Sequence, residues 1–488
     1  MSNTHPSKSN SFATDVLKLV TGTTIAQIIT ILASPILTRL YGPEAFGLFA
    51  LFTSITAIIG IIACMRYELA ILLPKDDEDA VNLLVLSIFI AAIVSILTGF
   101  CLYFGGDIFL DALQAPGLSS YLWIVPPFIF VSGIFLALNY WNSRTKLFGR
   151  LSVARITKAL ATTGTQLTAG FSGYTGGGSL IGASLAGSIV STGILGGQIW
   201  RDDQNILKRS VSWKGMIAGL KRYKRFPMID SASALLNTIS WQLPILLLSV
   251  FFSPIIVGFY ALGMRVLQTP MSFLGSSLGQ VFFQRAANAQ REGNLGRLVE
   301  NLFRVLVLIG LFPILIFTII GGDIFIVVFG EIWQEAGIYV QILSVWTFIW
   351  FISSPLSTLY IVLEKQDFGL KYNISNFSTR LVSLVIGGLA GSVYIALGLF
   401  AISGIFVYGY LCISLMRFSG ASFSKAVKII FSNILLFLPV AGILILLKYF
   451  QISVIILVFV AAITVILYYI YIIKTDDQIR NAFNNFVH

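Results

Sequence analysis

Long apolar runs recur along this 488-residue chain with short polar interruptions, and that recurrence restricts the fold more than any other feature. A helix rises about 1.5 Å per residue, so about 20 apolar residues cross the hydrocarbon core of a bilayer. Runs of that length fall at 15–38, 46–70, 79–104, 120–142, 152–173, 179–200, 227–252, 256–283, 302–320, 336–363, 372–390, 393–416, 426–447 and 451–473. The fifth, around ATTGTQLTAGFSG, is the most polar. Hydrophobic residues make up 57% of the chain and charged residues 11%, against about a quarter charged in soluble domains. With a mean hydropathy of +0.88 there is too little polar surface for a water-soluble fold. The pattern predicts an all-α integral membrane protein with about 14 transmembrane helices. The N-terminal MSNTHPSKSNSFATDVLKLV lacks an apolar core followed by a small-residue cleavage site. It reads as a polar tail leading into a retained first helix.

Several kinds of chemistry are disfavoured. Cys64, Cys101 and Cys412 each sit in apolar surroundings, without disulfide or metal spacing. His5 and His488 lie in the terminal tails. No catalytic constellation, metal site or cofactor motif is expected, and the reading is a protein that is not an enzyme. The net charge is +11, but all but four of the 32 Lys and Arg fall on alternate loops and adjoining helix ends. Arg39 and Lys448 lie at opposite edges, and Arg265 and Arg380 lie inside spans. This asymmetry places both termini in the cytoplasm. It makes the basic charge a matter of topology, with no call for nucleic acid.

The chain divides at RDDQNILKRSVSWKGMIAGLKRYKRFP, the largest inner connection. The expected segments are a cytoplasmic tail (1–14), a six-helix lobe (15–200), a basic cytoplasmic linker (201–226), a second six-helix lobe (227–416), two further spans (426–473) and a cytoplasmic tail (474–488). A repeat supports the division. PEAFGLFAL at Pro43 is matched by PIIVGFYAL at Pro254, Pro-Ile-Leu occurs at Pro35 and Pro244, and GGDIF occurs at 105 and 321. An even number of helices separates the matched pairs, so the lobes share orientation and are related by an axis along the membrane normal. Both GGDIF segments are expected in outer loops. The basic stretch Lys208 to Arg225 suits an interfacial anchor on anionic lipid. Asp76, Asp77 and Glu78 suit the positive start of the third helix.

Polar residues form stripes inside the apolar spans. Steps of three and four join Arg265, Thr269, Ser272, Ser276 and Gln280; Asn373, Asn376, Arg380 and Ser383; Asp230, Ser233, Asn237 and Trp241; and Gln27, Thr30, Ser34 and Thr38. Such steps put each set on one helix face. A mid-bilayer arginine costs about 2.5–3.5 kcal/mol on insertion scales, so Arg265 and Arg380 require water or a counter-charge. A shared cationic cavity is the economical reading. The plainer alternatives are helix-packing Ser and Thr, ion pairs with Asp230 or Glu335, and snorkelling of Arg39 and Arg66 at helix ends. Gly60, Pro244, Pro270, Gly275, Gly279 and Pro355 interrupt helices and suit bending between two states.

The segments AQIITILASPILTRLYGPEAFGLFALFTSITAIIGIIACMRYELAILLP and GFYALGMRVLQTPMSFLGSSLGQVFFQRAA resemble bacterial O-antigen flippases, the Wzx-like polysaccharide exporters of the multidrug/oligosaccharidyl-lipid/polysaccharide exporter superfamily. The resemblance implies a V-shaped pair of six-helix bundles working by alternating access on a polyprenyl-diphosphate-linked oligosaccharide in the inner membrane. Arg39, Arg66 and Arg265 match positions at which arginines line the cavity in related flippases. Arg380 is the fourth candidate cation, with Asp230, Asn237, Gln27, Gln280 and Asn376 as polar cavity residues. Implied partners are the lipid-linked substrate, membrane lipids, a polysaccharide polymerase and a chain-length regulator. The competing readings are a lipid II flippase, a multidrug/cation antiporter, which would favour carboxylates over arginines, and a polymerase or ligase, which would carry a large outer catalytic loop.

Overall fold

The computed structural model describes residues 12–476 and 480; the side chains of 12–20, 272–274, 276–278, 280, 281 and 284 lie outside that description. The tails expected at 1–14 and 474–488 fall almost wholly beyond it. Among the described residues there are fourteen helices of eighteen residues or more and no strand. They are α1 (Phe12–Leu40), α2 (Pro43–Gly60), α3 (Asp77–Ala112), α4 (Val125–Arg144), α5 (Phe148–Phe171), α6 (Gly177–Ser210) and α7 (Ser231–Phe251). Then come α8 (Pro254–Arg291), α9 (Leu295–Phe329), α10 (Gln334–Leu356), α11 (Gln366–Leu389), α12 (Val393–Phe418), α13 (Phe423–Tyr449) and α14 (Val454–Thr475). Eleven segments are long and apolar enough to cross a membrane. The other three helices, α5, α8 and α11, reach 24, 38 and 24 residues but fall short in apolar character. These three carry cations along their length.

The chain forms two compact units, Met1–Ile255 and Ile256–His488. In the first, α7 lies against α2, and the Ser54 hydroxyl donates to Gln242 Oε1 at 2.7 Å. The connection expected at 201–226 is largely helical: α6 runs on to Ser210, and a ten-residue helix, Trp213–Arg222, follows. That helix exposes Trp213, Ile217 and Leu220 along one side. It is tied to the first unit by Asn82, whose amide donates to the Ser210 carbonyl and accepts from the Ser212 N–H. A short π-helical turn, Phe226–Asp230, leads into α7.

Two loop expectations need correction. Both GGDIF segments are helical, inside α3 and α9. The apolar residues that follow continue the helix, and no proline stops it. Gly321 nevertheless has a use. A Cβ at Gly337 would meet the Gly321 carbonyl at 2.5 Å, so α9 and α10 approach backbone to backbone. At that contact Ile320 leaves helical geometry, and the Gln341 amide donates to the Thr318 and Ile319 carbonyls. The acidic start of α3 makes no side-chain cap, and Asp77 instead pairs with Arg144 at 2.9 Å.

The carbonyl freed by Pro313 is also satisfied. Pro313 cannot donate to Ile309 four residues earlier, and the Tyr469 hydroxyl of α14 donates to that carbonyl at 2.8 Å. Tyr468 donates to the neighbouring Leu308 carbonyl at 2.9 Å, and its ring stacks on Phe312 at 4.0 Å. The interrupting residues serve different ends: Gly60 closes α2, Pro244, Pro270 and Pro355 sit inside helices, and Gly275 and Gly279 of α8 lie against Pro355.

Candidate functional site

The first unit holds one set of candidates. Ser34 and Thr38 of α1 are buried, so that end of the stripe packs within the unit, while Gln27 is half-buried. Arg39 is exposed in the last turn of α1. Arg66 has left-handed backbone (φ 63°) just ahead of the one-turn helix Tyr67–Ala70. Its guanidinium lies 3.6 Å from Glu68, whose side chain is fully buried. Neither Glu68 oxygen has a hydrogen-bond donor. Glu68 went unrecognised in the sequence, although it stands two residues after Arg66 in RYELAILLP.

The α7 stripe is an open polar face of this unit. Asp230, Ser233, Asn237 and Trp241 are all exposed, and Asp230 has no ion pair among the described residues. Polar groups on an exposed helix face within a membrane require water or a polar ligand beside them. Arg155 and Lys158 of α5 are two further cations within the fifth span. Arg155 donates to the Thr23 hydroxyl of α1, and Lys158 Nζ lies 5.9 Å from the Phe135 ring centroid. The signal is present in the sequence, one helical turn apart in RLSVARITKAL near the inner end of the fifth span.

The second unit separates its two candidate arginines, Arg265 and Arg380. Arg265 of α8 is half-buried, and no hydrogen bond or ion pair engages its guanidinium among the described residues. The Thr269 hydroxyl bonds back to the Arg265 carbonyl. The stripe's continuation through Ser272, Ser276 and Gln280 lies outside the described side chains.

Arg380 of α11 is 2% exposed. Its Nη2 donates to the Tyr408 hydroxyl at 2.9 Å, and its guanidinium carbon lies 5.7–6.0 Å from the centroids of Phe400, Trp346 and Tyr408. Asn376 is 7% exposed and donates to the same hydroxyl at 3.4 Å. Arg380 and Asn376 are therefore withdrawn into the unit, where Gly404 leaves room for Trp346; a Cβ there would meet the indole at 2.1 Å. Glu335, one suggested counter-charge, accepts from Tyr394 instead. No group of three or more His, Cys, Asp or Glu that could hold a metal occurs among the described residues.

Long apolar helices, with cations held inside or at the ends of the spans, define a multi-pass membrane protein. The fold is similar to that of a lipid II flippase, MurJ, in an inward closed conformation, with a TM-score of 0.71 at 13% identity, covering 94% of this chain and 99% of that one. It is also similar to an inward-facing MATE multidrug transporter of the MOP superfamily, with a TM-score of 0.57 at 14% identity, covering 84% and 99%.

Residues 36–338 match the family model described as polysaccharide biosynthesis protein, and the chain belongs to that family. The lipopolysaccharide biosynthesis protein WzxC of Escherichia coli (strain K12) is 26% identical over 178 residues. That match spans 36% of either chain, so it reaches little more than a third of the curated relative's length.

Proposed function

We propose that the protein is a flippase that moves a polyprenyl-diphosphate-linked oligosaccharide, an O-antigen or capsule/exopolysaccharide repeat unit, from the cytoplasmic to the outer leaflet by alternating access. Arg265 carries this reading: a guanidinium within a helix, half-buried, with no partner of its own among the described residues. A diphosphate is a compact multivalent anion, and a guanidinium fork replaces its lost hydration. Arg39 and Arg66 are the companion cations; Arg155 and Lys158 add positive charge. The exposed Asp230, Ser233 and Asn237 suit sugar hydroxyls, as do Gln27 and Gln280. Arg380 and Asn376 have the positioning role, holding α11 to α12 through Tyr408.

In this reading all fourteen long helices cross the inner membrane, both termini are cytoplasmic, and two six-helix lobes are followed by α13 and α14 as an appended pair. The lipid tail stays in the bilayer while the headgroup crosses. An inside-negative potential favours outward movement of the anion by about 2.3 kcal/mol per charge per 100 mV. A polymerase and a chain-length regulator then consume the product. The similarity to a lipid II flippase favours one second reading, transport of another polyprenyl-diphosphate sugar by the same cations.

The test is translocation of a fluorescent lipid-linked oligosaccharide in proteoliposomes. Wild-type protein moves the label to the protected leaflet, and Arg265→Ala does not. Equal translocation by a correctly inserted Arg265→Ala variant refutes the proposal, and preference for lipid II selects the second reading.

A further inference from the structure

In the second unit, α9 and α13 are joined at both ends by ion pairs. Lys425 Nζ meets Glu300 Oε2 at 2.8 Å, and Lys448 Nζ meets Asp323 Oδ2 at 2.7 Å. The two helices therefore run parallel. Each pair of ties brackets about 35 Å of helix at 1.5 Å per residue, close to the roughly 30 Å of a bilayer core. The ion pairs mark the two membrane interfaces along this part of the fold.

At the Glu300–Lys425 interface the helices frame a cleft of about 480 Å³. Asn301 and Arg304 of α9 and Lys425, Lys428 and Ser432 of α13 line it, over a floor that includes Leu308 and Ile429. Three cations, Arg304, Lys425 and Lys428, stand against two carboxylates, Glu300 in the lining and Asp476 on Arg304. Arg304 pairs through Nη2 with Asp476 at 2.7 Å and also lines the cleft. Lys428 has no hydrogen bond or ion pair among the described residues. It lies about 4.5 Å further along the helix than Lys425, so it stands on the hydrocarbon side of the interface. Beyond it, α13 exposes Phe431, Leu435 and Leu438. A cationic cleft that continues into an exposed apolar helix face fits an amphiphile with a phosphate at one end and acyl chains at the other. Basic clefts between helices at a membrane interface take anionic lipid headgroups.

We propose that this cleft is a binding site for the phosphate of an anionic phospholipid, held by Lys428 with Arg304 and Lys425 and with Asn301 and Ser432 as neutral donors. The site is separate from Arg265 and does not depend on the transport reading.

Native mass spectrometry of the full chain in detergent tests the proposal, with phosphatidylglycerol, phosphatidylcholine, inorganic phosphate and undecaprenyl diphosphate as separate probes. The expected result is retention of phosphatidylglycerol over phosphatidylcholine, reduced about fivefold by Lys428→Gln, the effect of one basic residue near anionic lipid. Lys371→Gln, at an exposed lysine of α11, leaves retention unchanged. Lys428→Ser is the second variant should Lys428→Gln fold poorly. Three outcomes overturn the proposal: equal retention by the Lys428 variants, displacement of phosphatidylglycerol by inorganic phosphate alone, or retention of undecaprenyl diphosphate but not of phosphatidylglycerol.

Discussion

Arg265 and Arg380 look alike in the sequence and fare differently in the fold. Each is an arginine inside an apolar helix, on a stripe of polar residues spaced by three and four. Arg380 is enclosed by three aromatic rings and hydrogen-bonded to Tyr408, so its charge is offset by π-faces and a phenol from its own unit. Among the described residues Arg265 has no such cage. The insertion cost is common to both, but in one case the protein meets it internally and in the other it is left to water or a ligand. A cation whose compensation is missing is the better candidate for binding an anion.

The largest effect expected is on stability at Arg380. Arg380→Ala removes the donor to Tyr408 and leaves a void among Trp346, Phe400 and Tyr408, a loss of about 2–4 kcal/mol from the hydrogen bond and cation–π contacts together. The thermal midpoint in detergent should fall, and Arg380→Lys should not restore it, because an ammonium lacks the planar fork. A variant that melts like wild type yet no longer translocates would place Arg380 on the substrate path and erase the contrast.

Arg265→Ala should leave the melting temperature near wild type and lower translocation about 10–100-fold, the value of one or two charge-assisted hydrogen bonds at about 1.4 kcal/mol per tenfold. A large loss of stability with no specific transport defect would make Arg265 a second structural arginine. Gly404→Ala sharpens the cage from the other side. The added methyl collides with Trp346, and overpacking of this kind costs about 1–3 kcal/mol. Near-wild-type melting of that variant would show that the cage is loose.

The smallest effect is expected at Lys448, an interfacial cation already paired with Asp323. Its side chain is half-exposed, so Lys448→Ala should cost about 1 kcal/mol or less. A charge swap, Lys448→Asp with Asp323→Lys, should recover the loss. If it does not, the pair is not what aligns α13 with α9.

Much of the fold was legible because membrane solvation is a local demand. Each of the fourteen apolar runs coincides with a helix of eighteen residues or more, although the run 46–70 leaves its helix at Gly60, and eleven are long and apolar enough to cross a membrane, where a backbone must satisfy its own hydrogen bonds. Helix ends were less legible. GGDIF at 105 and at 321 looked like loop sequence and stayed helical, because paired glycines weaken a helix without breaking it when apolar residues follow. The site was legible in type more than in arrangement. Arg265 stands out by its charge in an apolar setting, whereas nothing about a carboxylate beside Arg66 announces that the Glu68 side chain will be wholly buried.

Residue order alone thus dictates the membrane as solvent, the number of long helices and the stripes of charge along them, all properties of a single helix and its surroundings. It does not dictate the partner of each polar side chain. That depends on which rings and carboxylates of distant helices arrive beside it: Tyr408, Phe400 and Trp346 around Arg380, and none of these around Arg265. The energy of a buried charge is set by neighbours within a few ångströms, and such neighbours are assigned by packing rather than by position along the chain.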